Sequence, residues 1–470
     1  MKNHFSQYQN PLRILKLISG RQWLTFSASW LAWTADAFDF FCVSLNVDNI
    51  AKEFHKSHSD VTLAILFTLL TRSIGAVIFG ALGDRYGRKW PMVGNILLFG
   101  ILTFSTGFTR NFSEFLAVRS LYGIALGGIY GCAASLAIEN LPNEARGIMS
   151  GVLQQGYAFG YLLAAAINLA IVPNSKYGWR AIFWFGIGPA VLIAIFRAVI
   201  PDEDAAKRRA LSSRDSSTTM TAKDKGRVLL KEIKELFRYH WLRLIHAVAL
   251  MSGFNFMSHG SQDLYPTFLT SQLENTPTTS TKVVSIMNFG AIIGGSLAGY
   301  FSQYWGRRIT IISLCCVGAC FIPLWYLPTD WRILAIGAFF MQFCVQGAWG
   351  IIPIHLNEIS PSSTLRAVFV GLTYQLGNAI SSASATIEAT AAEKLKTKSP
   401  SGKIVPDYGK TQAIFIGAVF LCVIILTAVS PEYKGAMLEE VKYADGRVVV
   451  QVKPDVDKPE TVEENNHYEG

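Results

Sequence analysis

Apolar residues run along this chain in long stretches, not in the alternation of a half-buried strand or the narrow stripe of a soluble helix. A bilayer core needs about 20 such residues per helix. The pattern predicts twelve spans, at 23–47, 61–82, 91–109, 114–138, 147–172, 179–200, 242–270, 282–303, 309–328, 332–356, 367–391 and 411–430. Charged or Pro/Gly clusters bound most of them. The stretches 242–270 and 332–356 are spotted with polar residues. Such residues are costly in a span and are retained mainly where they face protein or water. A single apolar stretch reads equally well as a buried core helix, but twelve in succession predict an all-α membrane protein.

Composition supports this. Of the 470 residues, 51% are hydrophobic and only 16% are charged, where soluble domains average about 25% charged. Disorder is excluded by the hydrophobicity. The net charge of +9 would suggest nucleic-acid binding in a soluble protein, so its placement matters. Alternating the spans from a basic start (Lys2, Arg13, Lys16, Arg21) puts 27 Lys and Arg in cytoplasmic segments and 12 in outer loops. The positive-inside rule then predicts both termini inside, with no cleaved leader before the first span. The surplus is a topology signal and argues against a nucleic-acid partner. Cys42, Cys132, Cys315, Cys316, Cys320, Cys344 and Cys422 all fall in apolar spans without CxxC spacing or a nearby His cluster. They read as scattered buried thiols, with no metal site. No nucleotide loop or nucleophile elbow is present, so an enzyme is not expected, nor any cofactor.

An internal repeat organises the chain. GALGDRYGRK (80–89) and GYFSQYWGRR (299–308) align Gly80, Gly87, Arg88 and Lys89 with Gly299, Gly306, Arg307 and Arg308 at a shift of 219. Glu139 and Pro142 match Glu358 and Pro361 at the same shift, and Arg146 and Gly151 match Arg366 and Gly371 at 220. The expected division is therefore 1–21 as a cytoplasmic N-terminus, 22–200 and 241–430 as two six-helix bundles, 201–240 as a cytoplasmic linker and 431–470 as a cytoplasmic tail. Within the linker, KDKGRVLLKEIKELF is amphipathic and reads either as a membrane-surface helix or as an ordinary linker helix. Two six-helix halves with a GxxxDxxGRK turn after the second helix resemble the major facilitator superfamily. RSLYGIALGGIYG (119–131), GWRAIFWFGIGPA (178–190) and SPEYKG (430–435) resemble further family patterns. The resemblance implies twelve transmembrane helices in two pseudo-symmetric bundles. It also implies that the Gly80/Asp84/Gly87/Arg88 turn lies on the cytoplasmic side. There Gly80 permits close helix approach, Asp84 can pair with cations across the halves, and Arg88 and Lys89 hold the turn. Glu139, Arg146, Glu358 and Arg366 complete this gating set. Gln303 stands where the second copy would carry an acid, so a weaker ionic latch is expected in that half.

The seventh span carries NFMSHGSQDLYPT (255–267). At 100° per residue Asn255, His259 and Gln262 share a face; Ser258 with Gln262, and His259 with Asp263, are one turn apart. Intramembrane polar groups of this density mark a substrate or proton path by default; a satisfied patch between helices is the plainer alternative. The string NxxSHxSQDxxxT resembles the signature of Jen-type monocarboxylate:proton symporters of fungi, and DAFDFFCVSL (36–45) is similar to the opening motif of the wider organic-acid and sialate group. The resemblance implies functional roles for Asn255, Ser258, His259, Ser261, Gln262, Asp263 and Thr267.

An anionic substrate in a low-dielectric cavity needs a cation or several N–H donors. Arg72 lies 12 residues before Asp84, about 18 Å along a helix and so near the midplane. Its planar fork suits a carboxylate; the alternative is a permanent pair with Asp36 or Asp39. Arg119, in the outer half of the fourth span, is either structural or proton-coupled. Gln375 and Asn378 offer amide donors from the eleventh span, mirrored by Gln154 and Gln155 in the fifth. Interhelical polar glue is the alternative there. Histidine titrates near neutral pH, so His259 with Asp263, or Asp39, are the expected proton carriers. The pair is treated as one titrating unit. The function expected is import of short monocarboxylates (lactate, pyruvate, acetate-like) with protons at the plasma membrane, by a monomer that rocks about a central site. Carriage of another organic acid (dicarboxylate or sialate), of sugar or of drugs, or a non-transporting nutrient receptor, are the competing readings.

Overall fold

The computed structural model describes residues 10–56, 58–139, 141–201, 234, 236–361, 366–433, 442–444 and 447–449. The linker expected at 201–240 and the tail expected at 431–470 lie mostly outside these residues. Twelve long helices account for nearly all of the described chain. They are α1 (Gly20–Ser44), α2 (His58–Tyr86), α3 (Lys89–Thr106), α4 (Phe112–Glu139), α5 (Asn143–Ile171), α6 (Arg180–Val199), α7 (Trp241–Gln262), α8 (Pro277–Trp305), α9 (Arg307–Tyr326), α10 (Trp331–Ile359), α11 (Arg366–Ser381) and α12 (Tyr408–Val429). Two small antiparallel hairpins, Lys396–Lys398 with Ile404–Pro406 and Lys442–Ala444 with Arg447–Val449, are the strands among the described residues.

By length and apolarity, seven of these helices can cross a membrane: α2 (through Ala64–Gly83), α4, α6, α8, α9, α10 and α12. Among the other five, α1, α5, α7 and α11 carry the polar residues that turn inward, including Asp36, Asp39, Gln154, Asn255, His259, Gln375 and Asn378, all buried. The outside is conversely apolar, with Ile74, Leu192, Val199, Ile336, Leu421 and Ile425 exposed. That inversion is the signature of a chain solvated by lipid. It also corrects the expectation for the cysteines. Cys316, Cys320 and Cys422 are exposed while the other four are buried, because an apolar exterior accommodates a thiol as readily as a core does.

Two predicted spans are broken. The stretch 242–270 leaves the α-helix after Gln262, turns at Asp263 and Leu264, and resumes as a short turn (Tyr265–Thr267) and a π-turn (Phe268–Gln272). Pro266 has no N–H to continue the ladder. The stretch 367–391 stops at Ser381 and restarts as Ser384–Lys394. Here Ser381 and Ser382 donate their hydroxyls to the carbonyls of Asn378 (3.0 Å) and Ala379 (2.6 Å), so side chains take up backbone acceptors as the helix ends.

The repeat reappears as packing. Helix α2 lies against α11 and α5 against α8. On α5, a Cβ at Gly151 would sit 2.1 Å from the Gly295 carbonyl oxygen, and one at Gly147 would sit 2.6 Å from that of Gly299. On α2, a Cβ at Gly80, the repeat partner of Gly299, would come within 3.0 Å of the Val368 backbone. The first and last six helices thus meet backbone to backbone through small residues, as membrane helices do in the absence of a strong hydrophobic drive. Gly151→Leu is expected to cost about 1–3 kcal/mol of overpacking, read as a lowered melting temperature in detergent. Gly188→Leu, where a Cβ meets nothing within 4 Å, should melt near the wild type.

Candidate functional site

The spacing of Asp36 and Asp39, one turn apart on α1, aims both carboxylates at the neighbouring helices. Arg72 of α2 donates from Nη2 to Asp36 Oδ1 at 2.6 Å, and Arg119 of α4 donates from Nη1 to Asp39 Oδ2 at 2.8 Å. All four residues are 2–3% exposed. The Arg119 guanidinium also lies 3.9 Å from the centroid of the Tyr122 ring. An unpaired ion here would carry a large desolvation cost, so pairing is what permits the burial. The pairing is incomplete: Arg72 Nε and Asp36 Oδ2 are buried without a hydrogen-bond partner.

On α7 the i,i+4 spacing brings His259 Nδ1 to 3.0 Å from Asp263 Oδ2, while Nε2 lies 3.2 Å from Asn378 Oδ1 of α11. Both ring nitrogens therefore face oxygen. A doubly protonated ring is fully bonded in this setting, whereas a neutral ring would need the Asn378 amide to turn and present its N–H. His259 is buried and the Asp263 side chain is 36% exposed, so the pair leads from a wetter region into the interior.

Arg72, Gln154 and Tyr157 from the first six helices face Asn255, Ser258, His259 and Asn378 from the last six around one cavity. Phe40, Leu69, Trp349 and Tyr374 close its walls. The void is about 20 Å³, room for roughly one water. Beneath it Tyr130 of α4 stacks on Tyr374 of α11 at 4.0 Å between centroids, flanked by Trp33 at 4.9 Å from Tyr130. This aromatic floor joins the two sets of helices.

Not every expected residue lines the cavity. Gln262, the last residue of α7, turns instead to α10, donating to Gln342 Oε1 at 2.8 Å; Gln342 in turn donates to Ser261 Oγ at 2.7 Å. Gln375 is fully buried but lies outside the lining, with both amide atoms unpartnered. Asp39 and Arg119 form their own pair away from the lining, and Thr267 sits in the turn beyond α7. Conversely, the lining residues Tyr157, Tyr374, Trp349 and Phe40 lie outside the sequence-based expectation, whereas Gln154 lines the cavity as a hydrogen-bonding amide mirrored by the repeat. Gln154 and Tyr157 are one turn apart on α5, a spacing visible in the sequence.

At the other end of the helices lie the two copies of the repeated turn, with Gly87 at φ +92° and Gly306 at φ +98°, conformations that suit glycine. Arg88 pairs with Glu139; Arg307 holds Glu358 with two bonds, Nη2 to Oε1 at 3.0 Å and Nε to Oε2 at 3.1 Å. Arg366 Nη1 reaches across to Glu139 Oε1 at 2.8 Å, and Arg146 donates from Nε to the Leu141 carbonyl at 3.0 Å. Gln303, in place of an acid, accepts from Arg307 Nη2 and donates to the Asn143 carbonyl of α5, both at 2.9 Å. The second copy thus carries an amide latch. The side chain of Asp84 lies outside the described residues. At the opposite end a cleft of about 510 Å³ is lined by Leu169 of α5, Lys282 and Ile286 of α8 and Trp331 of α10, among others. The halves are tied at the repeated-turn end by the Arg366–Glu139 and Gln303–Asn143 bonds. The described residues contain no group of three or more His, Cys, Asp or Glu able to hold a metal.

Residues 22–444 match the model of the family described as sugar (and other) transporters. The carboxylic acid transporter protein homolog of Saccharomyces cerevisiae is 36% identical over 423 residues, covering 88% of this chain and 68% of that protein. The cis,cis-muconate transport protein of Acinetobacter baylyi is 28% identical (77% of this chain, 85% of that one), and the sialic acid transporter NanX of Escherichia coli is 26% identical (75% and 82%). Among solved structures, the proton:xylose symporter XylE shares the fold with a TM-score of 0.68 at 17% identity, covering 89% of this chain and 98% of that one. The human organic anion transporter MFSD10 does so with 0.64 at 13% identity (86% and 99%). The chain belongs to the sugar (and other) transporter family, within the major facilitator superfamily; it is a multi-pass membrane transporter and not an enzyme.

Proposed function

We propose that the chain is a proton-coupled symporter that imports short monocarboxylates, of the lactate, pyruvate and acetate type, across the plasma membrane. Both termini are cytoplasmic in this reading, the coupling ion is the proton, no cofactor is needed, and a monomer suffices. The halves 22–200 and 241–430 rock about the central cavity. The relatives that carry carboxylic acids support the anionic substrate.

One observation carries the reading: across a single water-sized cavity, a half-satisfied Arg72–Asp36 pair faces a His259–Asp263 pair. Arg72 spends Nη2 on Asp36 and keeps a buried N–H at Nε in reserve. A carboxylate drawn against the guanidinium gains a charge-assisted bond. Asn255, Ser258, Asn378 and Gln154 supply neutral polar partners around it. Gln262 then supports the site from behind by fixing Gln342 against Ser261. A small monocarboxylate is favoured over a dicarboxylate because, among the described lining residues, one guanidinium is present and the walls are aromatic.

Charge bookkeeping links substrate to proton. Arg72 cancels Asp36 and Arg119 cancels Asp39, so the incoming carboxylate adds one uncompensated negative charge. A proton on His259 offsets that added charge, so the loaded site carries no more charge than the empty one, and it completes the bonds to Asp263 and Asn378. Closing a dry cavity that has gained no charge costs far less than closing it over an added anion. Arg119 and Asp39 hold the fixed pair beside this site. Glu139, Arg88, Arg366, Glu358 and Arg146 hold the cytoplasmic end shut and must part for release inside, with Gly80 and Gly151 as contact points.

In proteoliposomes, His259→Ala is expected to abolish acceleration of labelled lactate uptake by an inward proton gradient; undiminished acceleration would remove the proton role. Arg72→Lys should weaken lactate affinity by roughly 10–100-fold, the equivalent of about 1.5–3 kcal/mol for a bond to a charged group. Unchanged affinity would sink the guanidinium anchor.

A further inference from the structure

Glu388 belongs to none of the groups above. It lies on Ser384–Lys394, the helix beyond the break in α11, and is 1% exposed. Its Oε2 has no hydrogen-bond partner, and its Oε1 has only the Ser384 hydroxyl at 3.4 Å. No ion pair among the described residues includes it. The carboxyl is pressed against α7 where that helix is bare: a Cβ at Gly260 would sit 2.8 Å from Glu388 Oε1 and 2.6 Å from the Phe415 ring of α12. Gly260 directly follows His259.

The elements packed around this helix offer no fixed cation, and the His259 ring of α7 is already spent on Asp263 and Asn378. From α7 it faces Asp263, another acid, whose charge acts on it. From α12 it faces Phe415, and the charged residue of that helix, Lys410, is exposed at its start. The adjoining strand contributes Ile404, Val405 and Pro406. An ionised carboxylate in such a place lacks both a cation and enough donors, the costliest arrangement a dry interior can hold. Carried as the acid it needs neither.

We propose that Glu388 is a second proton-binding site of the cycle, one whose acid form permits the halves to close but whose proton is not carried across. This rests on the proton-coupled reading above. When external pH rises and the vestibule beside Asp263 is open, Glu388 gives its proton to vestibular water and keeps the bond's electron pair as a carboxylate. Two adjacent carboxylates then stand beside His259, and closure stalls. Uptake therefore requires two protons bound while transporting one.

The test is lactate uptake into proteoliposomes against external pH. Wild-type uptake should fall more steeply than a single ionisation allows, whereas Glu388→Gln should fall as a single ionisation. The melting temperature of Glu388→Gln relative to wild type should rise with pH, because the folded wild type holds a proton that its unfolded chain releases. A merely structural role would leave that difference constant. Should Glu388→Gln prove unrecoverable, Ser384→Ala, which removes the hydroxyl favouring the carboxylate, should keep the wild-type steepness but move the midpoint to higher pH. Equal steepness in wild type and Glu388→Gln, a pH-independent melting difference, or an unmoved Ser384→Ala midpoint would overturn the proposal. Wild-type uptake indifferent to any proton gradient would instead overturn the symport reading.

Discussion

Every ionised group taken into the centre of this bundle must find its opposite, and that constraint organises the rest. Asp36 and Asp39 sit one turn apart on α1 and each takes an arginine from a different helix, Arg72 from α2 and Arg119 from α4. Three helices are thereby locked in relative rotation. The asymmetry between the two pairs is as telling as the pairing. Arg119 also rests on the Tyr122 ring and stands apart from the cavity, while Arg72 lines it with a buried N–H unspent. On the proposed reading, the first pair holds structure and the second leaves capacity for an anion. Proton coupling follows from the same ledger, since charges already cancelled in pairs leave none to offset a carboxylate.

The mechanical side rests on glycine. Gly147, Gly151, Gly295 and Gly299 bring the α5 and α8 backbones together at the repeated-turn end, where Arg366–Glu139 and Gln303–Asn143 add polar ties. At the far end a cleft lies beside the same two helices. A close contact of backbone on backbone, with few large side chains between, suits surfaces that must rock. The central void, of one water's size, means that any substrate is admitted by moving helices or aromatic side chains such as Tyr374.

Much of this was legible in the sequence. Twelve apolar stretches and a shift of 219 residues specify the fold and its two copies, and the His259–Asp263 spacing specifies a pair. What escaped was governed by helix rotation and termination. A face defined at 100° per residue groups Gln262 with Asn255 and His259, yet Gln262 ends its helix and is captured by Gln342. Gln375 shares a helix with Asn378 but turns out of the lining, whereas Gln154 turns into it. The breaks at Pro266 and at Ser381 and Ser382 depend on local backbone competition that hydropathy does not register. The loss of an acid at Gln303 is offset by an amide that bonds both ways, a replacement that counting charges cannot reveal.

The central claim is that one proton accompanies each carboxylate so that the closing cavity gains no charge. It is tested most directly by measuring proton flux and current together. Lactate is added to de-energised proteoliposomes bearing the wild-type protein, with the membrane potential clamped. The account predicts alkalinisation of the medium equal to one proton per lactate taken up, with no net current. Uptake with no proton movement, or with a steady inward negative current, would contradict it.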